Sequence, residues 1–138
     1  MKLTIRPYHE DDKFDVIGLW EKVFPNAPPH NNPASDIKTK SEVQPELFLV
    51  AIQGDQLVGT AMAGFDGHRG WVYYLGVDLD HQRQGIGTML MKQVEAKLLS
   101  LGCPKLNLQI RANNAQVQSF YESLGYDSED RLSMGKRF

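Results

Sequence analysis

The sequence has one cysteine, Cys103, in 138 residues, which excludes an intramolecular disulfide framework. Its four histidines, His9, His30, His68 and His81, are scattered, and with one cysteine they offer no metal-ligand spacing. No metal is expected. No run of about 18 apolar residues occurs, so no transmembrane helix is expected, and the opening Met1-Lys2-Leu3-Thr4-Ile5-Arg6 lacks the apolar core of a signal peptide. An excess of one charge is missing too: 15 Lys and Arg face 17 Asp and Glu, a formal net charge of −2. That leaves no electrostatic footprint for nucleic acid and no polybasic patch for a membrane. Internal repeats, low-complexity tracts and linkers are also lacking. What remains is an ordinary globular composition, 41% apolar and 23% charged, expected to be cytoplasmic and to form a single domain over residues 1–138. Such a chain buries roughly 70% of its unfolded surface without disulfide or metal staples.

Periodicity then divides the chain. Leu3 to Arg6 alternates apolar and polar and ends at Pro7, as suits a short edge strand. Asp11 or Asp12 can cap a helix whose Val16, Leu19, Trp20, Val23 and Phe24 fall on one stripe, stopped by Pro25. Pro25 to Pro33 reads as a loop, and a short helix from about Ser35 to Glu42 comes next, with Ser35 as its cap. The apolar runs Leu47 to Ile52 and Leu57 to Phe65, separated by Gly54-Asp55, form a hairpin, and Trp71 to Val77 adds a third strand. After Gly85, Ile86, Leu90, Val94 and Leu98 recur every four residues, with Met89 and Leu101 assigned to the same side, in a helix ending at Gly102. Leu106, Leu108 and Ile110 make the next strand. Asn113 or Asn114 caps a helix with Val117, Phe120, Tyr121 and Leu124 on one face, and Tyr126 to Phe138 reads as two short strands. A strand-helix-strand crossover attached to an antiparallel meander makes a mixed α and β architecture.

The chemistry-bearing segment is Gln82-Arg83-Gln84-Gly85-Ile86-Gly87-Thr88, between the third central strand and the long helix. Glycines there let backbone approach a ligand, and the unpaired N–H groups and partial charge of a helix start, roughly +0.5, favour a phosphate. No lysine follows the second glycine, so this is not a Walker loop; Leu90 stands where a dinucleotide fingerprint has its third glycine.

Leu75-Gly76-Val77, then Gln82 to Gly87, then Asn114 with Phe120-Tyr121-Glu122-Ser123-Leu124-Gly125-Tyr126, taken in that order, resemble the GNAT superfamily of acyl-CoA-dependent N-acyltransferases. The resemblance spans nearly the whole chain and is sharpest from Trp71 to Tyr126. It implies an α+β fold with a mostly antiparallel sheet, one parallel strand-helix-strand crossover and flanking helices. It implies acetyl-CoA as co-substrate. Leu75, Gly76 and Val77 would pair with the pantetheine arm, and a free N–H nearby would polarise the thioester carbonyl. Gln82, Arg83, Gln84, Gly85, Ile86, Gly87 and Thr88 would hold the pyrophosphate, Asn114 would contact the cofactor, and Tyr121 would protonate the departing thiolate.

Two positions depart from the family pattern. Members often carry Glu or His on the strand before the phosphate loop, whereas Trp71 to Val77 has neither; Asp78, Asp80, His68 and His81 read more simply as polar loop residues. Leu79 replaces a usual proline, which predicts a looser turn. Cys103 reads as a small buried hydrophobe and Glu10-Asp11-Asp12 as capping charge. The Pro25 to Pro33 loop, with His30, Asn31 and Asn32, is the segment expected to face the acceptor.

The expected activity is transfer of acetyl from acetyl-CoA to a primary amine, on a small molecule or a protein, without nucleic acid or membrane partners. Homodimers are common in the family, although no stretch here carries a signature for one. A non-catalytic acyl-CoA-binding regulatory module is the main alternative, and a nucleotide-binding domain using the same glycine loop is a third.

Overall fold

Pro7 has no backbone donor, and the strand it ends, β1 (Leu3–Pro7), lies at a sheet edge, paired only with β2 (Phe48–Gln53). Gly54, at φ +63°, turns β2 into β3 (Gln56–Phe65), and β4 (Gly70–Val77) runs antiparallel to β3. The sheet order is β1-β2-β3-β4-β5, the last pair, β4 with β5 (Leu106–Asn107), being parallel. The expected α+β class and its parallel crossover are therefore what the chain adopts. The computed structural model describes residues 2–25 and 32–138, so most of the loop expected to face the acceptor, including His30 and Asn31, lies outside the described residues.

Helix α1 (Lys13–Val23) buries Val16, Leu19 and Trp20, the predicted stripe, against Ile37, Phe48, Val50, Leu57 and Met62. Helix α2 (Pro33–Lys40) begins earlier than predicted. Its cap is Asn32, whose Oδ1 accepts the Ser35 N–H at 3.0 Å, and Pro33 takes the first position, where a missing donor costs nothing. Helix α3 (Ile86–Ser100) buries Ile86, Leu90, Met91, Val94 and Leu98. Met89 and Leu101, assigned to that stripe, are instead 45% and 47% exposed. At 3.6 residues per turn, Met89 sits about 120° from the stripe's centre and Met91 nearer, while Leu101 lies past the last helical residue. A side chain on Gly59 would point at Leu90 and Ile86, whereas Thr60 faces Trp20, so α3 and α1 cover opposite faces of the sheet.

The Glu10 to Asp12 acidic group does cap, through Asp12. Its carboxylate accepts the His9 N–H at 2.8 Å and takes two bonds from Arg6, at 2.8 and 3.0 Å. These bonds, Arg6 foremost, hold the Asp12 carboxyl below its ordinary value. A depressed native pKa contributes stability above the unfolded value of 3.8 and loses it as pH falls through the native one. Asp12→Ala is therefore expected to lower stability by about 2 kcal/mol at neutral pH and by less in acid; urea midpoints at pH about 7 and 3 check the difference.

The chain divides into two compact units, Met1–Leu108 and Gln109–Phe138. In the second, α4 (Ala115–Ser123) is capped by Asn114, whose Oδ1 accepts the Val117 N–H at 3.2 Å, and Gly125 at φ +94° ends it. Two strand predictions fail. β5 stops at Asn107 rather than reaching Ile110, because only Gly70 and Trp71 of β4 offer it a ladder. Residues 126–138 form no strand: Glu129-Asp130-Arg131 interrupts the apolar alternation, and Leu132 and Met134 stay exposed. Among the described residues no helix is long and apolar enough to cross a membrane.

Candidate active site

The site starts from a bulge. Thr60 of β3 pairs with Gly76, but Met62 pairs with Tyr73, so Tyr74 and Leu75 stand opposite the single residue Ala61. Tyr74 takes φ +52°, a left-handed conformation worth about 1–3 kcal/mol of strain in a bulky residue. Four contacts hold it there. Its ring stacks on Trp20 with centroids 3.8 Å apart and meets Phe24 edge-on at 5.8 Å. Its hydroxyl donates to Asp36 Oδ2 at 2.7 Å, and its carbonyl accepts from Thr60 Oγ1 at 2.8 Å, which itself accepts from Trp20 Nε1 at 2.9 Å. Burial first, then the Asp36 bond, pushes the Tyr74 hydroxyl's pKa up.

The bulge lies beyond Trp71, the last residue of β4 that pairs with β5. Beyond Trp71, β4 has no partner on the β5 side among the described residues, so Leu75, Gly76 and Val77 lie on an edge of that kind. Gly76 is closely packed: a Cβ would come within 2.9 Å of Val23 Cγ2 and 3.0 Å of the Phe24 ring, so a side chain there would have to displace them.

Asp78, which the sequence suggests is a loop residue, is 5% exposed and anchors the turn after β4. Its N–H donates to Val58 O at 2.7 Å, its carbonyl accepts the His81 N–H at 2.9 Å, and Oδ2 lies 2.7 Å from His81 Nδ1. The turn containing Leu79 is accordingly a held 3-10 turn, Leu79–His81, rather than a loose one. Gln82 then ties the loop back to β4, its Nε2 donating to Val77 O at 3.2 Å.

Arg83 and Gly85 are both left-handed, at φ +65° and +80°, and turn the chain into α3. The first helical bond runs from Met89 N–H to Gly85 O, so the amides of Ile86, Gly87 and Thr88 precede it. No side chain caps them and no acidic residue occupies the first turn. A helix start left uncompensated in this way is suited to an anion. The structure thus brings Leu75 to Val77 and Gln82 to Thr88 together as neighbours.

Asn114 and Tyr121 lie in the second unit. Asn114 Oδ1 is committed to the α4 cap, leaving its amide N–H groups for another partner. Tyr121 is buried, edge-on to Phe120 and Tyr126, and its hydroxyl makes no hydrogen bond to another described residue. Burial pushes that hydroxyl's pKa up to about 12.

Cys103 is buried, with Sγ donating to Lys105 O at 3.3 Å. No group of three or more metal-ligating side chains occurs among the described residues. A recess of about 560 Å³ lined by Glu10, Lys13, Asn32, Ile37 and Lys38 involves no residue of β4 or of the glycine loop. Asp36, Tyr74 and Thr60 carry no signal in the sequence. Asp78 and His81 carry a faint one, their i,i+3 spacing.

Residues 14–126 match the Acetyltransferase (GNAT) family. An acetyltransferase of Yersinia pestis (strain Pestoides F) is 44% identical over 135 residues, covering 98% of this chain and 95% of the relative. One from Sodalis glossinidius (strain morsitans) is 45% identical over 136 residues, with the same coverage. Among solved structures, the ribosomal-protein-S18-alanine N-acetyltransferase of Escherichia coli superposes with TM-score 0.76 at 25% identity, covering 93% of this chain and 79% of that one. AAC(6')-Iy, solved with a CoA-containing bisubstrate analogue, superposes with TM-score 0.81 over 100% of this chain and 99% of its own; at 15% identity it is similar in fold alone.

Proposed function

The chain belongs to the GNAT acetyltransferase family, and from that premise we propose that it moves the acetyl group of acetyl-CoA directly to a primary amine. One observation carries the reading: three helix-start amides at Ile86 to Thr88, uncapped and unopposed by acid, adjoin a β4 edge without a strand partner. That combination suits a ligand with a pyrophosphate at one end and an amide-bearing arm at the other. The reading treats both units as one domain, since the family match runs across the boundary at Leu108.

Acetyl-CoA supplies the activated thioester; the ammonium gives one proton to water before its nitrogen attacks, since β4 carries no base, and the chain's residues bind the co-substrate and stabilise the developing charges. Main-chain groups of Leu75, Gly76 and Val77 pair with the pantetheine arm, and an N–H of this stretch faces the developing oxyanion. Gln82 to Thr88 bind the pyrophosphate chiefly through main-chain N–H groups, with Arg83 adding charge. Asn114 offers its side-chain amide to the cofactor. Tyr121 donates to the leaving sulfur. With its pKa near 12 it holds its proton throughout the neutral range. Complete transfer to a free thiolate of pKa about 8.5 is uphill by about 5 kcal/mol, so its main contribution is a hydrogen bond to sulfur as negative charge develops. A buried Cys103 fits direct transfer without a covalent enzyme intermediate.

The acceptor is a small-molecule or a protein amine. The similar proteins do not choose between these, one being named for an alanine of a ribosomal protein and another being an aminoglycoside N-acetyltransferase. One observation favours a non-catalytic acyl-CoA-binding module, the lack of a carboxylate or imidazole on β4.

Calorimetric titration of the folded chain with acetyl-CoA, with CoA and ATP as controls, tests the seat. Saturable acetyl-CoA binding without ATP binding is expected. Tight ATP binding in competition would point instead to a nucleotide site, and no binding at all would leave a family shape without its co-substrate.

A further inference from the structure

Asp36 is partly buried, sits in the first turn of α2, and its carboxylate is fixed to β4 by the Tyr74 hydroxyl at 2.7 Å. Among the described residues no Lys, Arg or His forms an ion pair with it; Arg6 pairs instead with Asp12, and Lys22 and His81 with Asp78. A carboxylate drawn partly out of water normally has a cation to offset the loss. Asp36 has instead the start of α2 and a phenol, whose ring stacks on buried Trp20 and meets Phe24 edge-on. Phe24 in turn packs against Gly76, inside the Leu75 to Val77 stretch. A carboxylate without a cationic side-chain partner, beside the rings of Tyr74 and Phe24, has the composition of a receptor for an organic cation. The other carboxylate at β4, Asp78, is buried and committed to His81.

We propose that Asp36 receives the acceptor amine in its ammonium form and that Tyr74 positions Asp36 for this. The proposal rests on the acetyl-transfer reading for the identity of the cation, a primary amine, which at neutral pH arrives protonated. Tyr74 joins the two halves of the reaction, since its backbone forms the bulge before Leu75 and its hydroxyl orients the carboxylate. This accounts for a bulky residue being held at φ +52°.

The test uses the full chain, with and without saturating CoA, and tracks the Trp20 indole N–H by proton NMR. That group bonds to Thr60 while its ring stacks on Tyr74; Trp71→Phe separates its signal from the second tryptophan. Propylamine and tyramine are titrated against the matched alcohols propanol and tyrosol. The amines are expected to shift the signal saturably and the alcohols not. Asp36→Asn is expected to weaken amine binding about tenfold or more while leaving CoA affinity within about twofold. Tyr74→Phe, which keeps the stacked ring, is expected to weaken amine binding about threefold without altering CoA affinity or thermal stability; a purely structural Tyr74 would change the latter two. Equal responses to amines and alcohols, no saturable shift, or unchanged amine binding in Asp36→Asn overturns the proposal. A chain that binds the amines through Asp36 but never binds CoA overturns the acetyl-transfer reading and leaves the cation site standing.

Discussion

Tyr121→Phe is expected to lower kcat about 100-fold while changing acetyl-CoA affinity by less than about twofold. The substitution removes one oxygen from a buried ring that meets Phe120 and Tyr126 edge-on, so packing is retained. The lost hydroxyl makes no hydrogen bond to another described residue, so its removal leaves no protein partner unsatisfied. Its effect then falls on the step in which charge builds on sulfur, where a proton donor is worth more than in the ground state. Burial raises the hydroxyl to about 12, so activity should show no loss from Tyr121 ionisation through the range where amines themselves lose their protons. Steady-state kinetics beside a binding isotherm separate the outcomes: equal losses in kcat and affinity, or no loss in either, remove Tyr121 from the proton-donor role.

Gly85→Val is expected to weaken acetyl-CoA binding at least about 100-fold, with a stability loss of only about 1–2 kcal/mol. Gly85 has φ +80°, and a Cβ added there meets no described atom within 4 Å. The fold has room for a Cβ here, opposed by backbone strain, and a larger side chain would compete for the space beside the Ile86 to Thr88 amides with the anion they would hold. Gly102, at φ +83° just beyond the other end of α3, is equally open. Gly102→Val therefore carries the same strain without a ligand to displace. It should match Gly85→Val in thermal shift and retain acetyl-CoA binding. Parallel losses of affinity in both variants would show that strain in α3, not obstruction of its amides, was responsible.

The parts of this molecule legible in its sequence are those set by neighbours in the chain. The α1 stripe, the Pro7 edge, the Gly54 hairpin and the glycine loop before α3 come from periodicity and turn chemistry over a few residues. Asn32-Pro33 is also a local signal, stronger than Ser35 as a helix start, and it places the start of α2 earlier in the chain. The Met89 assignment fails because a four-residue recurrence drifts around a helix of 3.6 residues per turn. The illegible parts depend on distant residues meeting. Asp36 reaches Tyr74 across 38 positions and Trp20 reaches Thr60 across 40. Nothing near Tyr74 announces a left-handed tyrosine or the bulge it creates against Ala61. The missing carboxylate on β4 is visible in the sequence as a gap, but a carboxylate brought to that strand by α2 is not.

Acetyl transfer to an amine is tested most directly by measuring CoA thiol release from acetyl-CoA across a panel of primary amines, with the product amine identified by mass. Catalysis requires thiol released in equal amount with an acetylated amine, and release that depends on the amine present. A chain that binds acetyl-CoA saturably yet releases no more CoA with any amine than without would contradict the assigned reaction and leave an acyl-CoA-binding module.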